Sequence, residues 1–180
     1  MFRPLLVSVF VLALGSVPAT PQDTAPPPSI EALRARAQER MREDLAIYSR
    51  EDMRALEALY QSANRDLSAP ETNATLQKVV KDYPRSNRAG SAILYLAQLS
   101  SGAEREAYLK KAIKDHGDAW YGNGVQVGAL ARAQLAAYYA ATDKTSDAKK
   151  LAKEVVERFP GAVDHRGQPL VNMLRGLNLL

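Results

Sequence analysis

The six residues VVERFP (155–160) repeat a pattern that occurs twice earlier in the chain, as VVKDYP (79–84) and AIKDHG (112–117). Each copy has two apolar residues, two polar residues, a ring, and then a proline or glycine that stops a helix. The apolar pair and the ring share one helix face because of their spacing. Corresponding rings are separated by 33 and 43 residues, which predicts stacked helical hairpins.

The stretches between these stops predict the partner helices. One extends from Asn87 to about Leu99, and another from about Asn123 to Ala141. The second is rich in alanine, as expected of a helix that neighbours approach closely on more than one side. Pro169 is placed to begin a terminal helix over the last apolar face.

Three further helices are predicted before the first repeat end. Ser29 is a typical N-cap residue, and it precedes an apolar stripe at helical spacing. The stretch SRED (49–52) resembles a capping box that begins a helix ending near Arg65. Pro70 begins a shorter helix, so the whole folded part is predicted to be all-α.

The last helix pair resembles the tetratricopeptide repeat (TPR). Matching positions are Leu135, Ala136 and Tyr139 in its first helix, and Ala148, Ala152, Val155 and Pro160 in its second. Arg132 stands where that family prefers tryptophan. The stretch YPRSNRA (83–89) is also similar to the "YP-x-S-x-x-A" of periplasmic repeat proteins of bacterial envelope assembly. Over roughly residues 50–175, the resemblance implies a TPR-like α-solenoid of about three antiparallel pairs, with an N-terminal helix and a C-terminal capping helix.

The resemblance also implies a non-catalytic scaffold or adaptor that binds a protein or peptide in a groove lined by first helices. By family position, the groove residues are Ser91, Leu94, Tyr95, Gln98, Leu130, Ala133, Gln134 and Ala137. These positions lack the lysine, asparagine and arginine clamp with which some members hold a terminal carboxylate. A neutral groove with small residues suits a helix or an apolar strand instead.

The loop GDAWYGNG (117–124) joins two helix pairs and contains the one tryptophan of the chain. Trp120 and its neighbour Tyr121 are therefore candidate partner-binding residues. Trp120 either fills the seam between the pairs or serves as an exposed anchor for a partner.

The N-terminus predicts export. Arg3 precedes an apolar run, and small residues at 15–19 are typical of a signal-peptide cleavage site. The alternative is an uncleaved anchor, but the run is shorter than the roughly 20 apolar residues of a spanning helix. We expect a signal peptide at 1–19, a proline-rich linker at 20–28 and a helical repeat domain at 29–180. The mature protein would be periplasmic or secreted, and soluble.

Composition excludes several kinds of site. The 180 residues include no cysteine and two histidines, which excludes disulfides, thiolate ligands and a multi-histidine metal cage. His116 occupies the ring position of a repeat, and His165 lies in a predicted surface turn. Ser146 matches a Ser-x-x-Lys motif by letter, but its place near a helix start favours a capping role. No catalytic residue, metal or cofactor is predicted.

The formal net charge is +4, and seven lysines lie on the second helices of two pairs. The lysines there are Lys110, Lys111, Lys114, Lys144, Lys149, Lys150 and Lys153. A solvated outer face explains them better than contact with an anionic membrane surface. Nucleic acid is disfavoured as a partner by the export signal.

Two alternative functions remain. One is a structural envelope subunit that self-associates through the N-terminal hairpin at 29–66, where arginines and acids alternate. The other is an envelope hydrolase that uses Ser146 or His165. Catalytic groups should converge in one pocket, whereas these two residues belong to separate turns of the sequence.

Overall fold

The computed structural model describes residues 27–180 and is all-helical over that range. The predicted signal peptide at 1–19 and most of the linker at 20–28 lie outside the described residues. The helices are α1 (Ile30–Glu43), α2 (Arg50–Arg65), α3 (Thr72–Asp82), α4 (Asn87–Leu99), α5 (Gly102–Asp115), α6 (Val127–Ala140), α7 (Thr145–Arg158) and α8 (Leu170–Gly176).

Local capping chemistry sets several helix starts. The Ser29 hydroxyl accepts a hydrogen bond from the Ala32 N–H at the start of α1. At α2, Ser49 and Asp52 form a reciprocal capping box, as predicted. The capping role expected of Ser146 is wrong: α7 begins after Lys144, and no side chain caps it.

From α2 onward, each helix packs against the next along the chain. The adjacent pairs are α2 with α3, α4 with α5, and α6 with α7, each joined by a short connection. The first helices of successive pairs, α2, α4 and α6, also touch one another, and α8 packs on α6. Two clusters of buried side chains lie between these helices.

The three helix ends that share a sequence pattern also share a backbone conformation. Tyr83, His116 and Phe159 are the C-cap residues of α3, α5 and α7, and each donates its N–H to the carbonyl four residues back. After His116 and Phe159 the chain forms matching loops. Each loop is closed by an isolated antiparallel bridge, Trp120–Gln126 in one and Val163–Pro169 in the other.

These loops define two related units whose corresponding residues are offset by 43 positions. The first unit is α5, its loop and α6, and the second is α7, its loop and α8. Helices α5 and α7 both have 14 residues and begin at positions 102 and 145. Gly124 and Gly167 take positive φ angles of 94° and 76° at the same place in each loop. Because residues 120–126 form this closed loop, α6 begins at Val127 and not near Asn123 as predicted.

Helix α8 stops earlier than α6, its counterpart in the first unit. Asn178 adopts a left-handed φ of 55°, and the Leu179 N–H then bonds to the Leu174 carbonyl at 3.1 Å. This is the hydrogen bond of a Schellman cap, and it turns the buried Leu179 side chain back onto the core.

Helix α1 lies across the loops of the later pairs, so the expected hairpin of 29–66 does not form. A Cβ at Gly124 would lie 3.2 Å from the Leu33 Cβ, and Arg40 pairs with Asp118 at 3.3 Å. Just before α1, a Cβ at Gly161 would lie 2.9 Å from the Pro27 Cβ. The apolar face of α1 is therefore covered by its own chain.

A buried polar chain fixes α1 to the fold. Arg40 donates to Asp44 at 2.8 Å, and the other Asp44 oxygen accepts from the Asn87 N–H at 2.7 Å at the start of α4. The Asn87 side chain in turn accepts from the Trp120 N–H at 2.6 Å and donates to the Trp120 carbonyl. The position of Trp120 is thus set by residues far away in the sequence.

Candidate functional site

Four rings form a continuous row across the first helices, which we call the aromatic row. Tyr60 of α2 and Tyr95 of α4 have ring centroids 6.2 Å apart, and Tyr121 lies 6.0 Å beyond Tyr95 in an edge-on contact. His165 of the α7–α8 loop then packs edge-on against Tyr121 at 4.5 Å. Such offset and edge-on geometries are the favourable ones for aromatic pairs.

Hydrogen bonds position the middle of the row. The Tyr121 N–H donates to the Val125 carbonyl at 2.8 Å within its loop, and its hydroxyl donates to the Ser91 carbonyl of α4 at 3.2 Å. Tyr60 and Tyr121 are buried, Tyr95 is half-buried and His165 is exposed. The row therefore presents Tyr95 and His165 to solvent and uses the other two rings as support.

Burial disfavours charge on three rings of the row, Tyr60, Tyr121 and His165. Burial raises the pKa of Tyr60 and of Tyr121 far above neutral pH, and partial burial lowers the pKa of His165. At the far end, the Arg88 guanidinium lies over the Tyr60 ring at 4.4 Å. Its charge is matched by a two-bond ion pair with Glu57, with both distances 2.8 Å.

The predicted groove residues divide into two groups. Tyr95, Gln134 and Ala137 are half-buried and Gln98 is exposed, so these four reach a surface. The other predicted groove residues are buried, namely Ser91, Leu94, Leu130 and Ala133. They pack between helices, and in this conformation a partner cannot touch them.

Trp120 is also buried, with 8% of its surface exposed. Together with Leu33 of α1 and Phe159 of the second unit, it lines a cavity of about 240 Å³. The burial supports the seam-filling interpretation of Trp120, and α1 forms one side of that seam. Tyr121, at 6% exposed, contributes to the surface only as support for His165.

The side chains that could suggest catalysis do not converge. His116 is buried at 4% exposed, and burial lowers its pKa. Ser146 is exposed in the first turn of α7, whereas His165 follows the other end of that helix. A 14-residue helix is roughly 20 Å long, so the two are far apart. No cluster of three or more histidine, aspartate or glutamate residues within 27–180 could hold a metal ion.

The lysines of α5 and α7 are exposed, and most are paired with acids on the same helix. Lys111 bonds to Asp115 at 2.7 Å and Lys150 to Asp147 at 3.1 Å. Glu106 accepts from Lys110, Lys144 and the Tyr139 hydroxyl, and these bonds lower its pKa to about 2. In the described part of the chain, no helix is long and apolar enough to cross a membrane.

Sequence reasoning did not place Tyr60 or His165 in the candidate site. The 43-residue spacing carried a usable signal for His165. It puts residues 164 and 165 at the loop positions of 121 and 122, and neighbouring units of a repeat fold contact each other. No comparable signal marked Tyr60, because its contact with Tyr95 depends on how α2 meets α4.

Comparisons of this chain with protein-family models, with curated proteins and with solved structures found no match. The candidate site therefore rests on the geometry of its own residues.

Proposed function

We propose that this chain is an exported, TPR-like adaptor that holds a protein or peptide partner against its first helices. Three adjacent helix pairs, first helices that contact one another, and the terminal α8 on α6 support the TPR-like architecture. Proteins built in this way use the face lined by first helices as an extended binding surface.

The aromatic row is the observation that carries this proposal. It runs from α2 across α4 to the last loop, so one ligand lying on it would touch Tyr95 of α4 and His165 of the last loop together, with Tyr60 and Tyr121 as buried support. Tyrosine rings held in place by packing lose little entropy on binding, which is why they are frequent in binding hot spots. The uncharged surface suits an apolar strand or the apolar face of a helix.

Position-specific photo-crosslinking tests the binding surface. A photoreactive phenylalanine at Gln98, exposed on α4, should give a discrete crosslinked product in cells, whereas the same group at Lys153, exposed on α7, should not. Tyr95→Ala should reduce the yield from Gln98, and Tyr95→Phe should preserve it because the ring remains. Crosslinks at Lys153 without crosslinks at Gln98 would contradict the proposal.

Export has its own test. The residues that suggest a signal peptide lie outside the described range, so the proposal rests on Arg3 and the apolar run that follows it. Mass spectrometry of the protein from the envelope fraction should find Thr20 at the N-terminus. Intact Met1 on exported protein would show that cleavage is absent.

A further inference from the structure

The way α7 packs on α6 provides an internal template for a second interaction surface. Arg132 of α6 is buried and donates to Glu154 of α7 at 2.8 Å. The Arg132 guanidinium also lies over the Phe159 ring at 5.1 Å and donates to the Gly128 carbonyl at 2.9 Å. Arg132 therefore contacts both the carboxylate of Glu154 and the ring of Phe159, near the C-terminal end of α7.

The second unit repeats this face of the first, but no helix within residues 27–180 packs on it as α7 packs on α6. At the 43-residue offset, Arg175 of α8 corresponds to Arg132, and Val156 of α7 corresponds to Ile113 of α5. No carboxylate among the described residues pairs with Arg175. Val156 is 42% exposed, whereas Ile113 is half-buried.

A groove of about 500 Å³ lies on this face, and we call it the terminal groove. Its apolar walls include Val155, Val156, Phe159 and Val171, and Arg175 is the charged residue that lines it. It thus combines an apolar floor with one cation, the same combination that the first unit offers to α7.

We propose that the terminal groove binds the end of an amphipathic helix from another protein. That helix carries a carboxylate for Arg175 and, five residues later, an aromatic ring for the apolar floor, in the spacing of Glu154 and Phe159. This site is separate from the aromatic row and does not depend on what binds there.

Charge and composition favour another protein, rather than a second copy or the N-terminal segment of this chain, as the occupant of the terminal groove. A symmetric contact between two copies would bring Arg175 of each close to the other, and these like charges repel. The segment 20–26 precedes Pro27, which lines the groove, but it contains no aromatic residue. It cannot supply the ring that the template requires.

The test uses the chain's own template as a probe. A fluorescent peptide with the sequence of residues 145–160 is titrated into the full chain, and binding is followed by anisotropy. We expect saturable binding that Arg175→Glu weakens at least about tenfold, the scale of one charge-assisted contact. Arg166→Glu makes the same charge change outside the groove and should alter the affinity less than about twofold.

Charge reversal in the probe makes the test specific. A peptide with Glu154→Lys should bind the Arg175→Glu chain better than the unaltered peptide does, because the pair is restored with opposite signs. Tyr95→Ala should leave peptide binding unchanged. A failure of the terminal-groove proposal can therefore be distinguished from a failure of the first-helix proposal.

Four results would overturn the inference. The first two are the absence of saturable peptide binding, and equal losses of peptide affinity with Arg175→Glu and Arg166→Glu. The third is a dimer of the chain that Val156→Lys dissociates. The fourth is peptide binding that tightens at least about tenfold when residues 1–26 are removed. The third would make a second copy the occupant, and the fourth would make it the chain's own N-terminal segment.

Discussion

His116 shows how one side chain can resemble a catalytic group and serve packing. It ends α5 in the same conformation in which Tyr83 ends α3 and Phe159 ends α7. A Cβ at Gly90 of α4 would lie 3.3 Å from the His116 Cβ, so the helices are in direct contact there. Burial lowers the pKa of His116, which keeps the ring neutral in the folded protein.

We expect His116→Phe to retain the fold with equal or higher stability. His116→Asp should lower the free energy of unfolding by about 2 kcal/mol or more, because it buries an unpaired charge. Urea unfolding monitored by circular dichroism measures both changes. Equal stabilities for the two variants would show that the ring is not buried.

The lowered pKa of His116 also predicts a pH dependence. Below the ordinary histidine value of 6.5 the unfolded chain takes up a proton more readily than the folded one, so stability should fall as the pH drops from 7.5 to 5.5. His165 has a lowered pKa too and contributes with the same sign. The fall should therefore be smaller, but not absent, in His116→Phe, as followed by urea unfolding at the two pH values.

Trp120 belongs to the core, and its substitution should show this. Trp120→Ala should lower the free energy of unfolding by about 3–5 kcal/mol, as for other buried aromatic residues. Trp120→Phe keeps part of the buried ring and is the matched control, with a smaller loss expected. A chain that keeps its melting temperature after Trp120→Ala would contradict the packing seen around Leu33 and Phe159.

At the scale of single elements, one buried ion pair helps to position α1. Asp44 is 1% exposed, and burial raises its pKa despite the hydrogen bonds from Arg40 and Asn87. The free-energy cost of removing the Asp44 charge from water thus exceeds the free energy that its hydrogen bonds and ion pair return. The pair therefore contributes more to the position of α1 than to stability.

Breaking the pair on one side should therefore cost more than removing both charges. Arg40→Met should lower the free energy of unfolding by about 3 kcal/mol, because the Asp44 charge is left buried without its partner. In the double variant Arg40→Met with Asp44→Asn, the amide oxygen still accepts from the Asn87 N–H, and part of the loss should be recovered. Chemical unfolding of the wild type and both variants tests this, and a double variant less stable than Arg40→Met would refute it.

At the scale of the whole molecule, α1 makes this fold differ from a simple stack of units. In such a stack each unit contacts its neighbours alone, so the two ends can unfold independently. Here α1 joins the start of α4, the α5–α6 loop and, through Pro27, the α7–α8 loop. These contacts link the start of the middle pair to the last loop.

We expect this link to be visible by hydrogen exchange. Leu76→Ala in α3 should weaken amide protection in both α3 and α8 of the full chain, because α3 packs on α4 and α1 joins the start of α4 to the last loop. In a chain that begins at Ser49 and lacks α1, the same substitution should affect α3 much more than α8. Equal responses of α8 in the two chains would show that α1 does not link α4 to the last loop.

The local chemistry of the sequence was sufficient to predict several of the helix ends. Ser29, the capping box at 49–52 and the three repeated helix ends act on backbone groups within a few residues, so their effects can be deduced without knowing the fold. The bounds of α2 and α4 followed from these signals. The start of α6 did not, because the Trp120–Gln126 bridge closes the loop before it.

The placement of α1 and the aromatic row were decided by tertiary structure. Tyr60, Tyr95, Tyr121 and His165 come from four separate elements, and their contacts depend on the order in which helices pack. An apolar stripe indicates that a face is buried, but it does not indicate which partner covers it. For α1 that partner is a set of loops up to about 130 residues away, and no periodicity within α1 encodes that distance.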